Sequence, residues 1–464
     1  MSGPIIWVGV PAVAGLVFWF LRKRSGRVAL FATGLCLALA LAAWLIPFGQ
    51  ALRLGPLSLT VDTTLSFAGR RLILEASDRT FLVFIYFACA FWFAGSQAAG
   101  ANELFIPFGF GIVALLVAAL SVEPFLYAAL LVEMAVLVAI PMLAPPGTRI
   151  GQGVLRFLIF QTLAMPFILL AGWALAGVET NPSNQTLVIL STVFLALGFA
   201  FWLAVFPFYT WIPMLAEQSN PYVSGFIFLM LTTVNLLLGL NFLDRFGWLR
   251  ASLDVFLVIS QIGTLMVVAA GVWAAFQKDL SRLFGYGVIV ETGFSMLAIG
   301  LGGPVGMQLF SSMLIPRMVG LGLWALSLSI LLREAGSTRF EAVRGLAQRM
   351  PFAVSGLAVA ALTLGGLPLL PVFPVHQLLL EELAKISLMN ALWVLLGSGA
   401  MLFSTFRALT VLAHGTRLPQ VVRENRAQIV LLVSGIAGLL LTGLFPQIFL
   451  PMLAGLTSGY SLVP

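Results

Sequence analysis

Apolar runs of about 20 residues, the length that carries an α-helix across the hydrocarbon core of a bilayer, follow one another along nearly the whole chain. They fall at 4–21, 28–48, 80–97, 103–121, 124–144, 151–176, 186–213, 221–243, 252–276, 283–301, 305–332, 351–386, 388–412 and 428–454, with short polar segments between them. This spacing predicts an all-α integral membrane protein of about fourteen transmembrane helices. Composition agrees. Only 9% of the residues are charged, 61% are hydrophobic and the mean hydropathy is +1.07, whereas a soluble domain carries roughly a quarter charged residues. The runs are too long and too continuous for the ten-residue alternation of an outer-membrane barrel. Cys36 and Cys89 lie inside apolar runs and read as packing residues. The first run precedes Arg22-Lys23-Arg24 instead of following a basic segment, so it reads as a retained helix and not as a cleaved signal.

One stretch, 50–79, is not apolar enough to cross. Segments 54–61 and 69–74 alternate around a turn and predict a short β-hairpin at the extracytoplasmic surface. The expected organisation is 1–102 as three helices with the hairpin, 103–243 and 244–412 as two inverted five-helix repeats, and 413–464 as a C-terminal helix.

The net charge of +7 is explained by topology and needs no nucleic-acid partner. Sixteen cations fall on the odd-numbered connections, among them Arg22, Lys23, Arg24 and Arg27 after the first helix and Arg333, Arg339, Arg344 and Arg349 after the eleventh. Six fall on the other side: Arg53, Arg70, Arg71, Arg79, Arg245 and Arg250. Short cytoplasmic loops carry the excess of Lys and Arg, so both termini are expected outside, in the cell inner membrane. Arg317 and Lys385 belong to helices.

Two helices are interrupted by proline. The seventh contains AVFPFYTWIP (204–213), with Pro207 and Pro213; the twelfth contains GGLPLLPVFP (365–374), with Pro368, Pro371 and Pro374. Proline removes a backbone donor and clashes with the preceding turn. In a membrane such breaks persist only where protein or a water-lined cavity satisfies the freed groups. Two breaks five helices apart point to a repeat and to a path for ions, though either alone could be a packing kink.

Ionisable side chains at membrane depth default to proton or ion relays. Glu133 lies mid-way along the fifth helix and Glu291 mid-way along the tenth, again five helices apart. Each reads either as a proton carrier or as a hydrogen-bonded tie between helices. His376 follows the second break and suits proton transfer; the alternative is a buried packing histidine. Glu381, Glu382 and Lys385 share its helix, with Glu381 and Lys385 spaced for an i,i+4 ion pair. Arg317 reads as a snorkelling cation or as a partner of Glu291. The sequence shows no metal-ligand cluster, no P-loop, no dinucleotide fingerprint and no nucleophile with a partnered base. Neither a cofactor nor chemistry by this chain alone is therefore expected.

Three segments resemble a known family. FPFYTWIPMLAEQSNPYVSG (206–225) is similar to the FPFHxWLPxAHxxAPTPVSA signature of the antiporter-like subunits of respiratory complex I. QKDLSRLFGYGVIVETGF (277–294) resembles their QxDIKRLLAYSSISHMGF, and GGLPLLPVFPVHQLLL (365–380) the stretch around their broken twelfth helix. The resemblance covers about 50–454; its relatives include Mrp-type cation/proton antiporters and membrane-bound hydrogenases. It implies a subunit that couples quinone reduction in a larger complex to proton translocation, with other membrane subunits as partners and quinone contact made elsewhere. The family's fifth-helix glutamate falls on Glu133, its tenth-helix His or Gln on Glu291 and its twelfth-helix Lys or Glu on His376. The family's lysines are absent: their positions fall on Trp202, near Thr233 and near Val319, and residues 180–277 contain no lysine. Tryptophan cannot carry a proton. Three readings follow: a divergent pumping subunit rerouted through Glu133, Glu291, His376 and the acids of helix twelve; a non-conducting structural subunit; and, with less support because few polar groups converge at midplane, a stand-alone transporter.

Overall fold

The structure is a computed structural model, and it describes residues 2–48, 51–54, 57–67, 69–180, 185–247, 255–415 and 424–448. A π-helical turn, Ile5–Gly9, leads into α1 (Val10–Leu21) and α2 (Ser25–Leu45). Next come α3 (Arg79–Gly95), α4 (Phe105–Ser121), α5 (Ala128–Leu143) and α6 (Gln152–Thr180). The first broken helix is α7 (Gln185–Trp202) with α8 (Trp211–Gln218), followed by α9 (Pro221–Arg245), α10 (Val255–Ala275), α11 (Leu280–Gly300) and α12 (Gly303–Ala335). The short α13 (Phe340–Val343) precedes the second broken helix, α14 (Pro351–Leu364) with α15 (Phe373–Ile386); α16 (Leu388–Ala413) and α17 (Arg426–Leu444) close the bundle. Among the described residues, eleven helices are long and apolar enough to cross a membrane, and twelve if the bent segment 340–364 counts as one span. The remaining expected spans are present as shorter helices, Ile5–Leu21 and Phe105–Ser121.

Caps fix where several helices begin. The Asn220 carboxamide accepts from Tyr222 N and Val223 N ahead of α9, and the Asp279 carboxylate accepts from Ser281 N and Arg282 N ahead of α11. Asn425 and Gln428 form a reciprocal capping box on α17. Each supplies acceptors or donors that a helix terminus lacks.

Layering follows from the apolar pattern. Helices α9, α11 and α12 carry no continuous polar face, so they sit inside the bundle, with 89%, 100% and 94% of their spanning windows buried. The outer helices keep apolar faces exposed, as at Phe20, Trp173 and Phe403. Small residues bring the helices close: a Cβ on Gly271 of α10 would collide with the Gly397 carbonyl oxygen of α16, and one on Gly263 would lie 2.8 Å from that of Gly293 in α11. Such contacts drive association where lipid gives no hydrophobic preference. Gly271→Val is therefore expected to force α10 and α16 apart and lower the assembled fraction on a native gel; unchanged assembly would refute this packing.

The surface hairpin is corrected. Segments 54–61 and 69–74 do not pair with each other as one hairpin. Instead β1 (Ala51–Leu54) pairs antiparallel with β2 (Leu57–Thr60), and β3 (Thr64–Phe67) with β4 (Arg70–Ile73). A two-residue strand, β5 (Val122–Glu123), adds to β4 and ties the second hairpin to the end of α4. Local turns win because closing a short loop orders fewer residues than pairing across an intervening segment.

The breaks sit between α7 and α8 and between α14 and α15, each with one non-glycine residue at positive φ: Ala204 (55°) and Leu369 (75°). Pro207, Pro368 and Pro371 lie in these gaps, whereas Pro213 and Pro374 stand in the first turns of α8 and α15. That is where a helix tolerates proline, because its N–H would be unpaired anyway. Predicted span 428–454 is seen as α17; 449–454 lies outside the described residues, as do Arg250, Arg417 and Arg423.

Candidate functional site

Several buried polar side chains lie within the helices around the two breaks. On the first side, Glu133 of α5 accepts a hydrogen bond from Thr162 Oγ1 of α6 at 2.8 Å through Oε1, while its buried Oε2 has no partner. One residue earlier, the Gln161 amide nitrogen donates to the Trp202 carbonyl oxygen at 3.3 Å, at the end of α7 where the break would leave that oxygen unpaired. The other atom of that amide, Oε1, is buried and unpartnered. Trp202 itself is buried.

On the second side, Glu291 of α11 and Arg317 of α12 are both fully buried. They do not form a direct ion pair. The guanidinium donates to Ser295 Oγ at 3.1 Å and Thr292 Oγ1 at 3.3 Å, and its charge acts on Glu291 without a contact. Neither Glu291 oxygen has a hydrogen-bond partner, nor has Arg317 Nε. One turn along α11, the Phe294 ring stacks on the His376 imidazole at 3.7 Å and 15°. His376 is buried, its Nε2 is unpartnered, and it borders a cavity of about 490 Å³ between α15 and α16 that includes Gln377, Glu381 and Ser398. The break is shaped to this imidazole: Gly366 has φ +75°, and a Cβ there would lie 2.6 Å from His376 Nδ1. Gly366→Ala is expected to displace the imidazole and strain the backbone by about 1–3 kcal/mol, read as a lowered melting temperature of the purified protein; an unchanged melting temperature would refute the fit.

The acids beyond the break pair differently from the sequence expectation. Lys385 meets Glu382, three residues before it, at 2.6 Å, and not Glu381. Glu381 accepts from the Gln377 amide at 2.9 Å. On a helix both i,i+3 and i,i+4 neighbours are in reach. Glu381 and Lys385 are exposed, so Glu382–Lys385 is a surface pair of small energetic weight.

Neutral residues complete the picture. Asn235 of α9 is fully buried with both amide atoms unpartnered, and Thr233 Oγ1 nearby is in the same state. Neither carries a charge to single it out, although Asn235 is the only amide within 226–240. A cluster of buried polar atoms unsatisfied by the chain is rare in folded proteins. Buried polar atoms without protein partners are what a hydrated ion path requires and what a packing core avoids.

Fold and site together define a polytopic membrane protein with two broken helices and a polar interior. Residues 152–404, more than half of the chain, match the family described as NADH:quinone oxidoreductase/Mrp antiporter, TM. The chain belongs to that family, as a multi-pass, antiporter-like membrane subunit. It is 27% identical over 237 residues to NAD(P)H-quinone oxidoreductase subunit 2 of Synechococcus elongatus, covering 47% of this chain and 44% of the relative. To NADH-quinone oxidoreductase subunit N of Sulfurimonas denitrificans it is 26% identical over 199 residues, 40% of this chain and 38% of the relative. The matched region thus spans under half the length of these curated relatives. In fold it is similar to a chain of respiratory complex I from Thermus thermophilus (TM-score 0.77, 21% identity, 99% of this chain and 100% of that one). A chain of the Mrp complex from Dietzia sp. aligns with a TM-score of 0.80 at 15% identity, over 98% and 97% of the two chains.

Proposed function

We propose that this chain is a membrane-arm subunit of a complex I-like NADH:quinone oxidoreductase and translocates protons coupled to electron transfer in that complex. The observation that carries the reading is the set of buried, unpartnered polar atoms at Glu133, Gln161, Asn235, Glu291, Arg317 and His376 within the helical bundle. An isolated buried polar group is costly unless it finds a partner, and water that satisfies such groups can pass protons. The relatives named as quinone oxidoreductase subunits support the choice of parent complex. With tryptophan and threonine where the family's lysines fall, conduction runs through carboxyl and imidazole groups: Glu133 on one side, Glu291 and His376 on the other. Glu381, which lines the cavity at His376, forms the outward end together with Glu382 and Lys385. Residues 103–243 and 244–412 act as the two repeated units, both termini face outward and the cation-rich loops face the cytoplasm of the cell's inner membrane.

A second reading, a non-conducting structural subunit, is favoured by one fact: residues 180–277 contain no lysine. A subunit of an Mrp-type antiporter or membrane-bound hydrogenase would share the same fold. The test is to purify the complex through a tag on this chain and identify the neighbours that come with it, then measure proton uptake in liposomes for Glu133→Gln and His376→Ala. Co-purifying oxidoreductase subunits and reduced uptake in an intact complex are expected. Purification alone as a monomer, or unchanged uptake, would contradict the proposal.

A further inference from the structure

The first break has a cavity of its own, unlike the one at His376. It holds about 500 Å³ between the end of α7, the second half of α9, the first half of α10 and the last turns of α11. Each wall is one face of a helix. Leu236, Gly239, Leu240 and Leu243 of α9 recur at the spacing of a single apolar stripe, and α7 and α10 line the cavity with the same period. Gly239 keeps the space open, because it has no side chain and a Cβ there would already touch the Phe199 ring at 3.4 Å. The inner end is closed by Leu203 and Val205, at the break itself.

Nothing in this cavity offers a hydrogen bond. Among the described lining residues, Thr192 alone has a hydroxyl, amide or charged side chain, and its hydroxyl donates to the Val188 carbonyl of its own helix at 2.8 Å. The N–H groups of Leu203 and Val205 donate to the Phe199 and Ala200 carbonyls, and the Trp202 carbonyl is held by Gln161 of α6. Apolar cavities of this kind stay dry and take apolar guests. The cavity at His376, with Gln377, Glu381 and Ser398 on its walls, is the opposite case.

The cavity is continuous with the surface that faces lipid: Leu257 and Val258 of α10 line it and are 46% and 50% exposed. It also has the depth of one leaflet. From Thr192 to Leu203 the lining rises about 16 Å at 1.5 Å per residue, close to half of the roughly 30 Å hydrocarbon core. That leaflet lies on the side of the β-strands, since the lining stretch of α9 runs up to Arg245, which meets Glu123 of β5 at 3.8 Å. A membrane-spanning helix of a partner would cross both leaflets; an acyl chain occupies one. Left empty, the cavity would forfeit the dispersion contacts of its whole lining, while hydrocarbon stands at its mouth. We propose that one acyl chain of a phospholipid in this leaflet lodges in the cavity, its end against Leu203 and Val205 and its headgroup at the membrane surface. The first break is thus packed by lipid on the side of α9 and α10, whereas its polar side turns to Gln161. This binding site goes beyond the proton-path reading and stands or falls without it.

The test uses the intact complex, purified through a tag on this chain and placed in nanodiscs of phosphatidylcholine brominated midway along one chain. Bromine scatters electrons strongly, so cryo-electron microscopy locates the labelled chain by comparison with nanodiscs of the same lipid without bromine. Tubular density inside the cavity, with a bromine signal above that of the surrounding lipid, is expected for the wild type. Ala196→Trp places an indole at an exposed lining position of α7, and loss of both the density and the bromine signal from the cavity is expected there. A wild-type cavity that is empty, that holds water, or that is filled by polypeptide or by an unbrominated molecule overturns the inference. So does a bromine signal in the cavity that Ala196→Trp leaves unchanged. If the variant does not assemble, the wild-type comparison alone decides.

Discussion

Glu291→Gln is expected to cut turnover-driven proton uptake by roughly a hundredfold or more, the scale on which a positioned acid–base group contributes to a proton transfer, while the complex stays assembled. Glutamine keeps the volume and the hydrogen-bonding edge of the side chain but can neither gain nor release a proton. Glu291 is fully buried, and neither of its oxygens has a hydrogen-bond partner. Nothing else on α11 at that depth titrates: its neighbours Thr292 and Ser295 are hydroxyls engaged by Arg317 and by backbone carbonyls. Initial rates of proton uptake in liposomes, normalised to complex content, decide the matter. A rate equal to wild type would remove Glu291 from the path.

Arg317→Leu is expected to have the largest effect on stability. The guanidinium is fully buried, held by two hydroxyl groups, and is the cation whose field reaches Glu291. The two groups make no direct ion pair, so the loss of about 3–5 kcal/mol on breaking a buried pair is an upper bound on the cost of removing the cation that acts on Glu291. The double variant Arg317→Leu with Glu291→Gln removes both charges and is expected to recover much of that loss, since coupled neighbours are not additive. Thermal melting of the detergent-solubilised protein reads both. If the double variant is as unstable as Arg317→Leu alone, the two groups are not coupled and Arg317 acts only through its hydroxyl partners.

The bundle was legible in the sequence because lipid is a uniform solvent with one demand: backbone polar groups must be satisfied within each segment. Apolar runs therefore mark helices almost one for one, and the prolines at 207, 368 and 371 mark the breaks. Pairing of the surface strands was not legible. Residues 51–73 contain four short alternating segments with turns between them, and alternation alone does not say which neighbours which; β5 arrives from beyond α4. The ionisable part of the site stood out as Glu133, Glu291, Arg317 and His376, since such residues are the exception in this chain. The neutral part did not. Gln161 and Asn235 resemble many polar residues that merely tie helices, and only the structure shows that Gln161 Oε1 and both Asn235 amide atoms lack partners. Nor does spacing decide that Lys385 takes Glu382 and leaves Glu381 to Gln377, because neighbours three and four residues apart are equally reachable on a helix.

The central claim is that this chain moves protons and does not only hold neighbouring subunits together. The most direct measurement is the number of protons translocated per electron by the complex in sealed liposomes, wild type against the double variant Glu133→Gln with Glu291→Gln. The account predicts a lower ratio in the double variant, with electron transfer continuing and subunit composition unchanged on a native gel. An unchanged ratio in a fully assembled complex would contradict it and leave the polar interior as the relic of a path in a structural subunit.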